Sequence, residues 1–73
     1  MEIREILALN LKRHRKATDL SQEELAHRVG IDRTYVSSLE RRLYGVSIDI
    51  LDRVAKALGV TASDLLREPE KQD

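Results

Sequence analysis

An all-α domain of five short helices, packed as one compact bundle, is the fold this sequence predicts, and three observations predict it. Apolar residues recur at spacings of three and four along the chain, and no stretch shows the alternation that a half-buried strand needs. Ser21, Asp32, Ser47 and Thr61 each stand just ahead of a periodic segment, where an N-cap belongs. Gly30 and Gly59 close two of those segments, as glycine does at helix C-termini.

The first helix is predicted over residues 2–17, with Ile3, Leu7 and Leu11 in one stripe and Ile6 beside it; Leu9 falls off that stripe. Asp19 takes the following turn in a left-handed angle, less comfortably than glycine would. Leu20 packs ahead of the next cap. The second helix, 22–29, opens on Ser21, and Glu24 three residues later completes a capping box. Its Leu25, Ala26 and Val29 share one face. Gly30 supplies the positive backbone angle that ends it, and Ile31 buries under the turn. Asp32 caps a third helix, 33–41, whose Val36 and Leu39 face inward.

A loop around Gly45 leads to Ser47, which caps a fourth helix presenting Ile48, Leu51, Val54, Ala55 and Leu58 to the core. Thr61 caps a last short helix through about residue 66, with Asp64 in capping-box position. Residues 1–68 are expected to form one domain, and Pro69 opens a polar tail, 69–73, where ordered structure ends. With two Tyr and no Phe or Trp, the core must be aliphatic.

Composition narrows the class. A chain of 73 residues buries only about 60% of its unfolded surface, so a stability of a few kcal/mol is expected, to which a second subunit would add. It has no cysteine, which excludes a disulfide scaffold and a thiolate zinc site and suits a reducing cytoplasm. The N-terminus carries Glu2 and Glu5, and its longest apolar run is 6–9, too short and too acidic for a signal peptide or membrane span. A soluble, cytoplasmic protein is expected, and the Met1 start with the polar tail favours a complete chain over an excised N-terminal domain.

Net charge is zero, but it is unevenly spread. Residues 12–42 hold eight basic and five acidic groups, a net of +3, against −2 for 43–73 and −1 for 1–11. Ordinary solvated helix faces explain this, and on composition alone they are the better reading.

The stretch SQEELAHRVGIDRTYVSSLE, residues 21–40, is more specific. Two short helices separated by one glycine, with small Ala26 where they approach, form a helix-turn-helix, whose second helix typically lies in the DNA major groove. Within the longer runs LSQEELAHRVGIDRTYVSSLERR and SIDILDRVAKALGVTASDLL, the chain resembles the phage-repressor (Cro/cI-type, XRE-type) helix-turn-helix family, over residues 7–66. The run DRTYVSSLER is further similar to small stand-alone regulators, among them restriction–modification controller proteins. The resemblance implies a lambda-repressor-like DNA-binding domain with its motif at 21–41 and its recognition helix at 33–41. Three positions depart from the family's pattern: Asp19 and Arg42 stand in place of common glycines, and Val46 in place of a common proline. Arg42 leaves the loop after the recognition helix open in conformation.

The resemblance places base reading on Arg33, Thr34, Ser37 and Ser38. Arg33 is the strongest candidate, because a guanidinium can bond guanine O6 and N7 together. Its ordinary alternative, a solvated arginine in a first helical turn, is disfavoured by the helix dipole. Thr34 suits a thymine methyl or a phosphate, and paired serines are poor helix formers whose exposure implies close approach to another surface. Backbone contact falls to Gln22, by resemblance, and to Ser21 through the free amides of a helix N-terminus. Tyr35, Arg41, Arg42 and Tyr44 are further backbone candidates, Tyr35 with its ring half-buried and its hydroxyl reaching a phosphate. Asp32 is a cap first and a cytosine acceptor second. Similar proteins pair the residues at Arg15 and Glu40, which would link helix 1 to helix 3.

His14 and His27 have no ligand geometry around them, so no metal or other cofactor is expected. There is no nucleophile–base pairing and no glycine-rich phosphate loop, so no enzyme is expected. The expected partner is double-stranded DNA, bound by a homodimer at a palindromic operator, without membrane or small-molecule substrate. The C-terminal residues Ile50, Val60, Leu65 and Leu66 are the expected subunit contact. The rival is a protein-interaction module such as the antitoxin of a toxin–antitoxin pair.

Overall fold

The computed structural model describes residues 1–69, and the rest of the expected tail, 70–73, lies outside the described residues. Five helices follow one another: α1 (Ile3–Ala17), α2 (Gln22–Val29), α3 (Arg33–Glu40), α4 (Ile48–Leu58) and α5 (Ala62–Leu65). No strand occurs among the described residues. The Cα radius of gyration, 11.2 Å, matches that of a compact domain this size, about 11 Å.

The capping residues read from the sequence all act as caps. Ser21 and Glu24 form a reciprocal box, with N–H···O distances of 3.0 and 3.1 Å. Thr61 and Asp64 form another at 3.1 and 3.0 Å. The Asp32 carboxylate accepts from the Thr34 N–H, and the Ser47 hydroxyl from the Ile50 N–H. The ends differ slightly from expectation: Glu2 is the α1 N-cap, α3 closes at Glu40 with Arg41 as its cap, and α5 closes at Leu65.

α1 packs on α3 and α5, α2 on α3 and α4, and α4 on α5. Leu7, Leu11, Leu25, Val36, Leu39, Val54, Leu58 and Leu65 meet in one core built without Phe or Trp. Two expected core residues are not in it. Ile3 is 55% and Ile48 83% exposed. Each is the first residue of its helix, where the apolar period runs on past the stretch that neighbouring helices cover. Leu65, expected at a subunit contact, is 0% exposed and belongs to the molecule's own core.

The junction of α2 and α3 sets the pose of α3. Gly30 sits at φ +82°, left-handed, and the N–H groups of Gly30 and Ile31 both donate to the Ala26 carbonyl, at 2.9 and 3.0 Å. The Arg53 Nη1 of α4 donates to the Val29 carbonyl at 3.2 Å, a support for this turn that the sequence did not reveal.

Candidate nucleic-acid interface

α3 is eight residues long, with Val36 and Leu39 inside. That orientation leaves Arg33 and Thr34 exposed and Ser37 half-exposed on the opposite side. Arg33, Ser37 and Arg41 recur every four residues, so they share one face with Thr34 beside them. Ser38 does not join them. It is 7% exposed, and its carbonyl accepts the Leu43 N–H at 2.9 Å as the chain turns away from α3. The loop that follows takes up Tyr35, whose ring is half-buried and whose hydroxyl donates to the Gly45 carbonyl at 3.1 Å. A phenol has one proton to give. Tyr35 gives it here to the Gly45 carbonyl, in a bond that lies at the surface.

The other expected backbone contacts fall into two groups. Ser21 is exposed at the start of α2, where its hydroxyl accepts the Glu24 N–H. Gln22 beside it is half-buried, and its amide nitrogen donates to Glu40 at 3.1 Å. Beyond α3, Arg41, Arg42 and Tyr44 are all exposed. Arg42 is held at φ +63°, and its guanidinium lies 3.5 Å from the Glu5 carboxylate of α1. The structure thus settles the loop conformation that a non-glycine residue left open.

Glu40 is an acidic residue at the end of a face otherwise rich in arginine, and it is neutralised from within. Arg15 Nε donates to its Oε2 at 2.6 Å and Arg15 Nη2 to its Oε1 at 3.0 Å, while Arg15 Nη1 donates to the Leu20 carbonyl at 2.8 Å. The hydrogen bond to Glu40 raises the Arg15 guanidinium above its ordinary value, against the effect of burial and with help from charge attraction. Outward charge on this side comes from Arg33, Arg41 and Arg42. Asp32 is exposed, but its carboxylate caps α3.

His14 is half-buried and His27 exposed. Among the described residues, no three His, Cys, Asp or Glu side chains come together in a way that would hold a metal ion, and no helix is long and apolar enough to cross a membrane.

The helix-turn-helix family model HTH_3 matches residues 11–65. A hypothetical transcription factor of Neisseria meningitidis is 41% identical over 71 residues, 97% of this chain and 67% of that protein. Its sequence similarity is matched in three dimensions: a crystal structure of the hypothetical transcription factor NHTF from Neisseria superposes with a TM-score of 0.90 at 43% identity, covering 93% of this chain and 78% of that one. Control protein C.SmaI of Serratia marcescens is 44% identical over 66 residues, 90% of this chain and 79% of its own. The restriction–modification controller protein C.AhdI from Aeromonas hydrophila superposes with a TM-score of 0.81 at 35% identity, covering 85% and 94% of the two chains.

Proposed function

Because the chain belongs to the helix-turn-helix family HTH_3, we propose that it is a DNA-binding transcriptional regulator, acting as a homodimer on a palindromic operator with α3 in the major groove. The observation that carries this reading is the outward row of Arg33, Thr34 and Ser37 on a helix whose other side is built into the core. Such a row suits base edges, with Arg33 as the guanine reader. Ser21, Gln22, Arg41, Arg42 and Tyr44 flank it as backbone contacts, which set register on the duplex without reading sequence. Residues 1–68 act as the single binding domain. The names of the similar proteins, a transcription factor and two controllers, support a regulator over an enzyme.

One copy places about three side chains on bases, too few for useful selectivity, whereas two copies related by a two-fold axis would read half-sites about 34 Å apart. Apolar surface for that pairing remains on α4 and around α5, at Ile48, Ile50, Val60 and Leu66. Selecting bound duplexes from a random pool at about 0.15 M salt tests the proposal. Enrichment of an inverted repeat with half-site centres one helical turn apart is the expected result. No enrichment would remove the DNA-reading role, and a lone half-site would remove the dimer.

A further inference from the structure

Asn10 lies in the middle of α1 and is 0% exposed, the most deeply buried polar residue among those described. Its amide nitrogen donates to the Leu65 carbonyl at 2.9 Å and to the Arg67 carbonyl at 2.8 Å, and its oxygen accepts from Arg13 at 3.0 Å. Every polar atom of the side chain is occupied. The recipients matter: α5 has four residues, the carbonyl of its last one, Leu65, has no partner within the helix, and Arg67 follows two positions beyond. A helix this short does not hold itself together in water. Thr61 and Asp64 fix its start, and Asn10 fixes its end.

Five positions further along the same helix, Arg15 grips Glu40 at the end of α3. One rigid helix therefore carries both attachments, about 7.5 Å apart along its axis. The first holds α5 and Arg67 just beyond it, and the second holds the reading helix. We infer that Asn10 is a positioning residue for operator binding. By locking α5 and the residues after it onto α1, it fixes the angle between the C-terminal surface and α3, and so the separation of the two α3 helices in a dimer. This rests on the homodimer proposed above. A purely apolar residue at this place would fill the same volume and leave the direction of α5 unspecified, since packing alone carries no directional bond.

The test uses the whole chain with Asn10→Leu, and Asn10→Ser as a second variant that keeps one donor. Each is measured on a half-site duplex, on the selected palindrome, and on palindromes with the centre lengthened or shortened by one or two base pairs; melting curves check folding. For folded variants, half-site affinity is expected within about twofold of the parent. Palindrome affinity falls roughly tenfold or more, because two heads that no longer fit together lose the gain from simultaneous engagement. The preference for one spacing flattens with it. A variant that keeps the parent's spacing preference overturns the inference, even if half-site and palindrome weaken together, since that pattern marks a residue serving the fold alone. Two unfolded variants have the same meaning. A parent chain that selects no spacing removes the homodimer itself, whereas a selective parent with equally selective variants removes only the role of Asn10.

Discussion

Arg15 and Glu40, 25 positions apart in the chain, are joined by two hydrogen bonds from one guanidinium to both oxygens of one carboxylate. Both side chains are nearly sealed from solvent, so this pair is unlike an exposed ion pair, which contributes little. Removing one partner leaves the other's charge buried and unpaired. Glu40→Ala is expected to lose about 3 kcal/mol of stability, measured by urea unfolding. Because Gln22 also donates to Glu40, the variant should weaken DNA binding as well, through a loosened α3 and a freed Gln22.

Arg33→Ala should leave the melting curve almost unchanged, since the residue is exposed. Its expected effect is a loss of about 1–3 kcal/mol of discrimination at one base position. Fluorescence anisotropy on the selected operator and on single-base variants of it checks this. Equal affinity and equal selectivity would remove Arg33 from the reading face.

Arg41 is exposed at the C-cap of α3, and its proposed contact is with phosphate. Arg41→Ala should weaken binding uniformly across sequences and reduce the slope of log K against log salt by about 0.9. A titration over several salt concentrations, with the operator and an unrelated duplex in parallel, separates this behaviour from base reading.

Arg42 occupies a left-handed backbone angle, φ +63°, where a side chain is strained and glycine is not. Arg42→Gly should therefore raise stability by about 1 kcal/mol while lowering DNA affinity. The exposed contact with Glu5 that it gives up is worth little. Opposite signs in the melting temperature and in the dissociation constant are the expected signature.

Acid should loosen α2 and α5 through their capping boxes. The backbone N–H of Ser21, then its hydroxyl, lowers the Glu24 carboxyl below its ordinary value; Thr61 does the same for Asp64, with Arg67 adding to it. A folded value below the unfolded one means that folding favours the ionised form. The contribution is complete above the unfolded carboxylate range and disappears as pH falls through the lowered folded values. Thermal stability should stay flat through neutrality and decline in acid. Glu24→Gln should start lower at neutral pH and decline less steeply.

Helix boundaries and caps were legible because they depend on neighbours in sequence: Ser21 with Glu24, Asp32 with Thr34, Gly30 with its own backbone angle. Which apolar residues are covered depends on where other elements end. Ile3 and Ile48 continue a helical period past its cover, and Ser38 is buried although its residue type and place in α3 gave no sign of it. The inward place of Arg15 came from family resemblance, since nothing in an isolated arginine announces burial. Asn10 carried a usable signal: it lies three positions after Leu7 and one before Leu11, on the buried stripe itself. A polar residue there implies distant carbonyls or amides to satisfy it.

The two tyrosines of this chain both flank the path from α3 to α4, Tyr35 bonded to Gly45 and Tyr44 open to solvent, and there is no tryptophan anywhere. Intrinsic ultraviolet emission from the native chain therefore originates entirely at that one corner. The unlabelled protein carries a built-in optical probe of it, while rearrangements of the aliphatic interior pass without a signal of their own.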